Sequence, residues 1–136
     1  MSKKNTKNLN VTETNPTVVA QFRLRIKYGE AIAIGPGKIA ILEAIAETGS
    51  ISAAGRQLGM SYRRAWLLVD QMNQYFKDPV VHAATGGSQG GGTALTEMGR
   101  EVIRLYRSIE QQAETQSASL LESLKDKIRS GTTDLK

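Results

Sequence analysis

The segment from Gly49 to Phe76 constrains the fold more than any other part of the chain. Its sequence is GSISAAGRQLGMSYRRAWLLVDQMNQYF, in which one short helical pattern precedes Gly59-Met60 and a longer one follows. Gly59 and Met60 make a tight turn, and Ser61 is a good N-cap for the second helix. Two helices joined in this way predict a helix-turn-helix, whose second helix enters the major groove of DNA.

The second helix, predicted from Tyr62 to about Phe76, carries two different faces. We expect one face to pack inward, and its residues are Ala65, Trp66, Val69, Met72 and Phe76. Arg63 and Arg64 lie in the first turn, where a cation is mildly unfavourable unless an anion is near. Two solvated arginines are the alternative. We favour DNA contacts, by Ser50, Ser52, Ser61, Tyr62, Arg63, Arg64 and Leu67.

A glycine-rich loop follows the second helix, between predicted strands at Val80–Ala84 and Thr93–Leu95. Gly87 and Gly92 have the separation of a phosphate-binding P-loop, but Thr93-Ala94 stand where that motif needs Lys and Ser or Thr. We interpret the hairpin as a wing that lies along the DNA backbone, although an inert hairpin tip would have the same sequence. The predicted wing contacts are Thr85, Gly86, Gly87, Ser88 and Gln89.

The N-terminal part divides into a polar arm, residues 1–20, and a hairpin. Phe22–Tyr28 alternates apolar with basic side chains, which predicts a strand with a basic outer face. Ala31–Ile34 returns as its partner strand, and a helix follows to Thr48, with Pro36 in its first turn. We assign residues 21–95 to one winged helix-turn-helix domain, mostly α with a small β component.

A long C-terminal helix is predicted over residues 96–129, capped by Thr96, before a frayed tail at 130–136. Its apolar stripe consists of Val102, Leu105, Tyr106, Ile109, Ala113, Leu120 and Leu124. One small domain cannot fully cover such a stripe, so we expect it to form a homodimer interface. Packing of the whole stripe on its own domain is the alternative.

Composition limits the other functions. The chain has 136 residues and no cysteine, which excludes disulfides, thiolate metal sites and a cysteine nucleophile. Its net charge of +5 favours a polyanionic partner, and the excess lies before Pro79. His82 is the only histidine and has no evident catalytic or metal-binding partner, so we predict no enzyme, metal or cofactor. Without a signal or membrane segment, a cytoplasmic protein is expected.

Two segments, GSISAAGRQLGMSYRRAW and ATGGSQGGGTALTEMGREVIRLY, resemble the N-terminal DNA-binding domain of the molybdate-responsive ModE regulators. The specific matches are Ser61-Tyr62-x-x-Ala65-Trp66 and the Ala84-Thr85-Gly86-Gly87 stretch that leads to Leu95-Thr96-x-x-Gly99. The resemblance covers about residues 22–124. It implies a LysR-like winged helix in which the long helix and the N-terminal strands help to form a dimer.

The resemblance also has a limit. Full-length ModE proteins carry C-terminal molybdate-binding modules with a Ser-Ala-Arg-Asn-type motif, and the sequence up to Lys136 holds nothing comparable. We therefore expect a stand-alone DNA-binding domain whose effector is unknown, with molybdate not favoured.

Two functions remain open from the sequence. The first is a transcriptional regulator that binds a palindromic operator in double-stranded DNA as a dimer, with molybdenum-related genes as its targets. The second is a dimeric oxyanion-binding or partner-binding module that uses the fold without DNA, with the glycine loop and the basic strand holding a small anion.

Overall fold

The described part of the chain is mostly helical, with two small antiparallel hairpins. A computed structural model describes residues 16–84 and 92–129. The elements are β1, Ile26–Tyr28; β2, Ala31–Ile34; α1, Pro36–Thr48; α2, Ile51–Gln57; α3, Tyr62–Tyr75; β3, Val81–Ala84; β4, Gly92–Leu95; α4, Glu97–Gln116; and α5, Ala118–Lys125. One compact unit is Arg23–Gln112, and the other combines the described residues before and after it. The predicted fold class is confirmed.

The N-terminal hairpin is shorter than the sequence predicts. β1 pairs with β2 in antiparallel fashion, as expected. The strand predicted from Phe22 begins only at Ile26, because the pairing shifts between Ile26 and Lys27 and extends no further. Upstream of the strand, the carbonyl of Leu24 accepts a hydrogen bond of 2.7 Å from the Tyr106 hydroxyl. The chain before β1 is therefore attached to α4 and does not extend the hairpin.

Helix α1 provides much of the apolar core. Pro36 lies at its start, as predicted, and the N–H of Gly49 closes its end on the carbonyl of Ile45 at 2.8 Å. Its largest fully buried side chains are Ile39, Ile41, Leu42 and Ile45. Burial of each such side chain contributes about 1.5–3 kcal/mol. Both helices of the helix-turn-helix pack against α1, so it fixes their positions.

The helix-turn-helix forms where the sequence predicts it. The hydroxyl oxygen of Ser50 accepts the N–H of Ala53 at 3.0 Å and so caps α2. Gly59 has a φ of 71°, a left-handed conformation that side chains other than glycine rarely adopt, and it allows the tight turn. Ser61 then caps α3 by accepting the N–H of Arg64 at 3.1 Å. Both caps fix the angle at which α3 follows α2.

The base of the wing is a regular hairpin fastened to α3. β3 and β4 pair from Val81 opposite Leu95 to Ala84 opposite Gly92. The side-chain oxygen of Asn73, on α3, accepts the N–H of Val80 at 2.8 Å. The same oxygen accepts the N–H of Val81, and the Asn73 amide donates to the Val81 carbonyl, each at 3.3 Å. One side chain of α3 therefore holds the first wing strand.

Helix α4 begins where the sequence predicts, with Thr96 accepting the N–H of Gly99 at 3.0 Å. Gly99 allows a close approach, because a Cβ at that position would collide with the carbonyl of Val80. The predicted helix over 96–129 is divided, since α4 ends at Gln116 and α5 starts at Ala118. Between them, the Ser117 hydroxyl donates to a carbonyl of the preceding turn, a bond that competes with regular helix geometry.

An ion-pair network ties α4 to α1. The guanidinium of Arg107 donates to both carboxylate oxygens of Glu43, at 2.7 and 2.8 Å, and to Glu110 at 2.6 Å. These hydrogen bonds, above all those to Glu43, raise the pKa of Arg107. Arg107 is therefore charged and already paired with two carboxylates.

Candidate nucleic-acid interface

The first turn of α3 presents two arginines to solvent. Arg63 and Arg64 are exposed, and Tyr62 is 58% exposed beside them. No acidic residue lies in this turn, and within the described chain neither guanidinium forms an ion pair. The positive end of the helix and two uncompensated cations therefore meet at one place, which favours a bound anion.

The three predicted serines have local partners as well. Ser50 and Ser61 cap α2 and α3, as described above. Ser52 accepts a hydrogen bond of 3.1 Å from the Arg56 guanidinium, one turn along α2. A capping hydroxyl still has its own proton to donate, so these roles leave each serine able to bond a phosphate oxygen.

Trp66 corrects the sequence interpretation of α3. We expected it in the core with Met72, but Trp66 is 46% exposed whereas Met72 is fully buried. The inward face of the helix is formed by Ala65, Leu68, Val69 and Met72, which follow the spacing i, i+3, i+4, i+7. Trp66 lies one residue beyond this face, and it lines a cavity of about 280 Å³ shared with β3 and β4. Leu67, predicted at the DNA surface, is 38% exposed.

The wing contacts remain a prediction. Thr85, Gly86, Gly87, Ser88 and Gln89 lie outside the described residues. The strands that carry this loop are described, and the N–H of Thr93 donates to the carbonyl of Gly49 at 3.0 Å. The wing base is therefore joined to the connection between α1 and α2 as well as to α3.

The predicted dimer stripe contains two kinds of residue. Val102 and Tyr106 are buried, 8% and 3% exposed, and belong to the core of the chain itself. This corrects their assignment to a dimer interface, because α4 turns its i, i+4 pair inward onto its own unit. Leu105 and Ile109 follow Val102 and Tyr106 by three residues each and border them on the same side of the helix, and each is 46% exposed. Burial also raises the pKa of Tyr106, whose hydroxyl keeps its proton and donates it to Leu24.

The remaining residues of the stripe belong to the second unit. Ala113 is half-buried, while Leu120 and Leu124 are 75% and 64% exposed. The turn at Ser117 separates the first of these residues from the other two. Apolar side chains at this exposure in α5 are available to a partner.

Lys38 is a charged residue that the sequence analysis missed. It lies in the first turn of α1 and is only 7% exposed. Its ammonium donates to the carbonyl of Ile32 and lies 5.6 Å from the centre of the Tyr75 ring. Burial, and then the charge of Arg64, lower the pKa of Lys38. The available signal was a lysine directly before the apolar run Ile39–Leu42.

Residues 16–84 and 92–129 contain neither a metal-binding cluster nor a membrane-spanning helix. In these two ranges, no group of three His, Asp or Glu side chains is placed to hold a metal ion. His82 lies exposed on β3. The same ranges contain no helix that is both long enough and apolar enough to cross a lipid bilayer.

Comparison with known proteins agrees with this geometry. Residues 37–100 match the family of bacterial regulatory helix-turn-helix proteins of the lysR type. The molybdenum-pterin-binding protein MopB of Rhodobacter capsulatus is 49% identical over 77 residues, 57% of this chain and 28% of MopB. The molybdenum transport protein ModE of Azotobacter vinelandii is 36% identical over 104 residues, 76% of this chain and 38% of that protein.

A third relative is named as a transcriptional regulator. The DNA-binding transcriptional dual regulator ModE of Escherichia coli K12 is 38% identical over 92 residues, which are 68% of this chain and 35% of that protein. The chain thus spans about a third of the length of the curated relatives that it matches. Together with the two capped helices and the wing strands, these matches show that the chain contains a ModE-like DNA-binding domain built on a LysR-type helix-turn-helix.

Proposed function

We propose that the chain is a sequence-specific transcriptional regulator that binds double-stranded DNA. The observation that carries this proposal is that Arg63 and Arg64 are exposed in the first turn of the second helix of a helix-turn-helix and form no ion pair with any residue that the structure describes. In this motif the N-terminal residues of the second helix reach base edges in the major groove. Such a regulator has no catalytic role and acts in the compartment that holds the chromosome.

The neighbours of these arginines divide into two kinds of contact. Arginine reads guanine through two parallel hydrogen bonds, and the exposed apolar Leu67 suits the methyl group of thymine. Ser50, Ser52 and Ser61 have short hydroxyl side chains suited to phosphate oxygens, which position the helix without reading sequence. The loop residues Thr85–Gln89 would add phosphate contacts on the wing side.

We further propose that the chain acts as a homodimer. The exposed pair Leu105 and Ile109 on α4, and separately the pair Leu120 and Leu124 on α5, supply apolar surface for a two-fold interface. A dimer binds two half-sites whose centres are about 34–36 Å apart, or a multiple of this, in a palindromic operator. Leu105→Asp should therefore give a monomer in analytical ultracentrifugation. Gln111→Asp, at an exposed position about 120° around the helix from Leu105, should leave the dimer intact. A dimeric Leu105→Asp would contradict this interface.

The target genes are proposed from the relatives. Three of them are named for molybdenum-pterin binding, molybdenum transport or ModE regulation, so we propose operators near molybdenum-related genes. The test is to incubate the chain with sheared genomic DNA, with and without molybdate, and to sequence the retained fragments. Enrichment of one palindromic site supports the proposal. Enrichment that depends on molybdate would assign it an effector role.

The decisive variant is Arg63→Ala combined with Arg64→Ala. Each bidentate base contact contributes about 1–3 kcal/mol of discrimination, so the double variant should lose about 100-fold or more in affinity for the selected site. Arg104→Ala combined with Lys127→Ala is the control, because it also removes two positive charges, both from exposed positions outside the helix-turn-helix. Equal binding by the double variant and the control at the same salt concentration would refute the assignment.

A further inference from the structure

A cationic cavity lies beside the recognition helix α3, on the side of the N-terminal hairpin. Its volume is about 480 Å³, and it is partly open to solvent. The lining includes four cationic side chains, those of Arg23, Arg25, Lys38 and Arg64. Glu30 is the one acidic residue among the described lining residues. The side chain of Glu30 is fully exposed, and its carboxylate lies 3.8 Å from the ammonium of Lys27. Lys27 itself does not line the cavity.

The buried member of this group, Lys38, has partners but no counter-ion. The carbonyl of Ile32 and the face of the Tyr75 ring both attract the ammonium, yet neither carries a full negative charge. The described residues provide no carboxylate within ion-pair distance of Lys38, and Arg64, which has the same sign of charge, lines the same cavity. A buried charge in this state is costly unless a charge of opposite sign joins it.

The start of α1 adds a second attraction for an anion at the same cavity. Gly35, Pro36 and Gly37 line it, and Gly35 supplies no capping side chain. The first turn of α1 contains no acidic residue. The early N–H groups of a helix have no partner within the helix, and they carry its partial positive charge. Backbone donors and four cations therefore point to one kind of occupant.

We propose that this cavity binds a phosphate-like oxyanion, held by Lys38, Arg25 and the start of α1, with Arg64 as the link to the recognition helix. Two sources have this chemistry: a free oxyanion such as sulfate or phosphate, and a phosphate of the DNA backbone. A free oxyanion would engage Arg64 and so weaken operator binding, an effect that rests on the function proposed above. Binding of the anion itself does not rest on it.

The first experiment needs no DNA. Sodium sulfate and inorganic phosphate are titrated into the full chain by calorimetry, with sodium chloride at equal ionic strength as the reference. We expect one site per protomer, and Lys38→Met should weaken it about tenfold or more, since it removes a charge-assisted hydrogen bond to the anion. Lys27→Met is the matched control and should change the affinity by less than about twofold, since Lys27 lies on β1 and does not line the cavity.

A second variant guards against a folding defect in Lys38→Met. Arg25 is exposed, so Arg25→Gln should fold normally and still weaken the anion. Circular dichroism melting curves of both variants confirm that they are folded. An anion that binds both variants as tightly as the parent protein is not in this cavity, and that result overturns the proposal.

The second experiment distinguishes the two sources. If no free anion binds but Lys38→Met weakens DNA and lowers the slope of log affinity against log salt by about one, a backbone phosphate occupies the cavity. If the anion binds and sulfate weakens operator binding beyond chloride at equal ionic strength, a free oxyanion occupies it. No effect of Lys38→Met in either assay overturns the proposal. Absence of DNA binding by the parent protein refutes the proposed function alone, because calorimetry still tests the cavity.

Discussion

Two cationic regions adjoin the recognition helix, and they differ in what surrounds their charges. At the tip of α3, Arg63 projects into solvent from a turn without acidic neighbours. Beside the helix, Lys38 is buried in a cavity whose wall includes Arg64. Keeping Arg63 charged in water costs little free energy, whereas keeping Lys38 charged when buried carries a desolvation cost. Consecutive arginines therefore belong to different environments, because neighbouring residues of a helix are about 100° apart.

The largest expected effect separates these two arginines. Arg63→Ala should lower operator affinity by about 5- to 100-fold and leave sulfate binding unchanged, since Arg63 does not line the cavity. Arg64→Ala should weaken both DNA and sulfate. Fluorescence anisotropy with a labelled operator measures the first quantity, and calorimetry measures the second. Equal losses of sulfate binding in both variants would show that the two regions act as one.

Stability against pH gives the next effect, with Lys38 as its source. Burial and Arg64 hold the pKa of Lys38 in the folded protein below its ordinary value of 10.5. Below that lowered pKa the folded state bears the full cost of the charge. As pH rises from there to 10.5, the folded state releases its proton before the unfolded state does, so the free energy of unfolding increases. Above 10.5 the cost is gone.

The measurement is urea denaturation of the parent protein and Lys38→Met at several pH values between 7 and about 11. The variant should be the more stable at neutral pH, and its advantage should shrink as pH rises. Taking the difference cancels the contributions of titrating groups that are distant from Lys38. Addition of sulfate at neutral pH should also stabilise the parent protein more than the variant, since the general stabilising effect of sulfate acts on both. A constant difference across the pH range would mean that Lys38 has the same pKa in the folded and unfolded states, and it would contradict the lowered pKa.

The smallest expected effect concerns the wing side of α3. Trp66 is the only tryptophan, half-exposed in the cavity next to β3 and β4, so its fluorescence reports on that side alone. Operator DNA should protect it from iodide quenching, whereas sulfate should not change its emission. Trp66→Phe should cost about twofold to fivefold in DNA affinity through lost apolar contact. Protection by sulfate would show that the two sides of the helix communicate.

Local signals in the sequence predicted much of the fold. Ser61, Gly59 and Pro36 act through their own backbone chemistry, and each has the role expected of it. The alternation before Tyr28 overestimated β1, because the hydrogen bond from Tyr106 to Leu24 joins residues far apart in the chain. A periodic pattern in the sequence cannot reveal which distant side chain will donate a hydrogen bond to a given backbone carbonyl.

The candidate site was predictable in part. The exposed arginines of α3 followed from their position after a capping serine. Trp66 and the pair Val102 and Tyr106 were misassigned, because an apolar stripe wider than one face leaves open which edge meets the core. Lys38 was missed since its burial depends on three elements, the hairpin, α1 and α3, whose meeting is a property of the tertiary structure.

The hydrogen bonds of Asn73 affect how the protein fits operator DNA. Its amide joins α3 to the first wing strand through three hydrogen bonds, and the carbonyl of Gly49 holds the second strand. The recognition helix and the wing base are thus held at a fixed distance and orientation to each other. An operator whose grooves do not match this fixed geometry must itself bend or change groove width. Base steps that the protein never touches then contribute to selectivity, through the stiffness of the duplex.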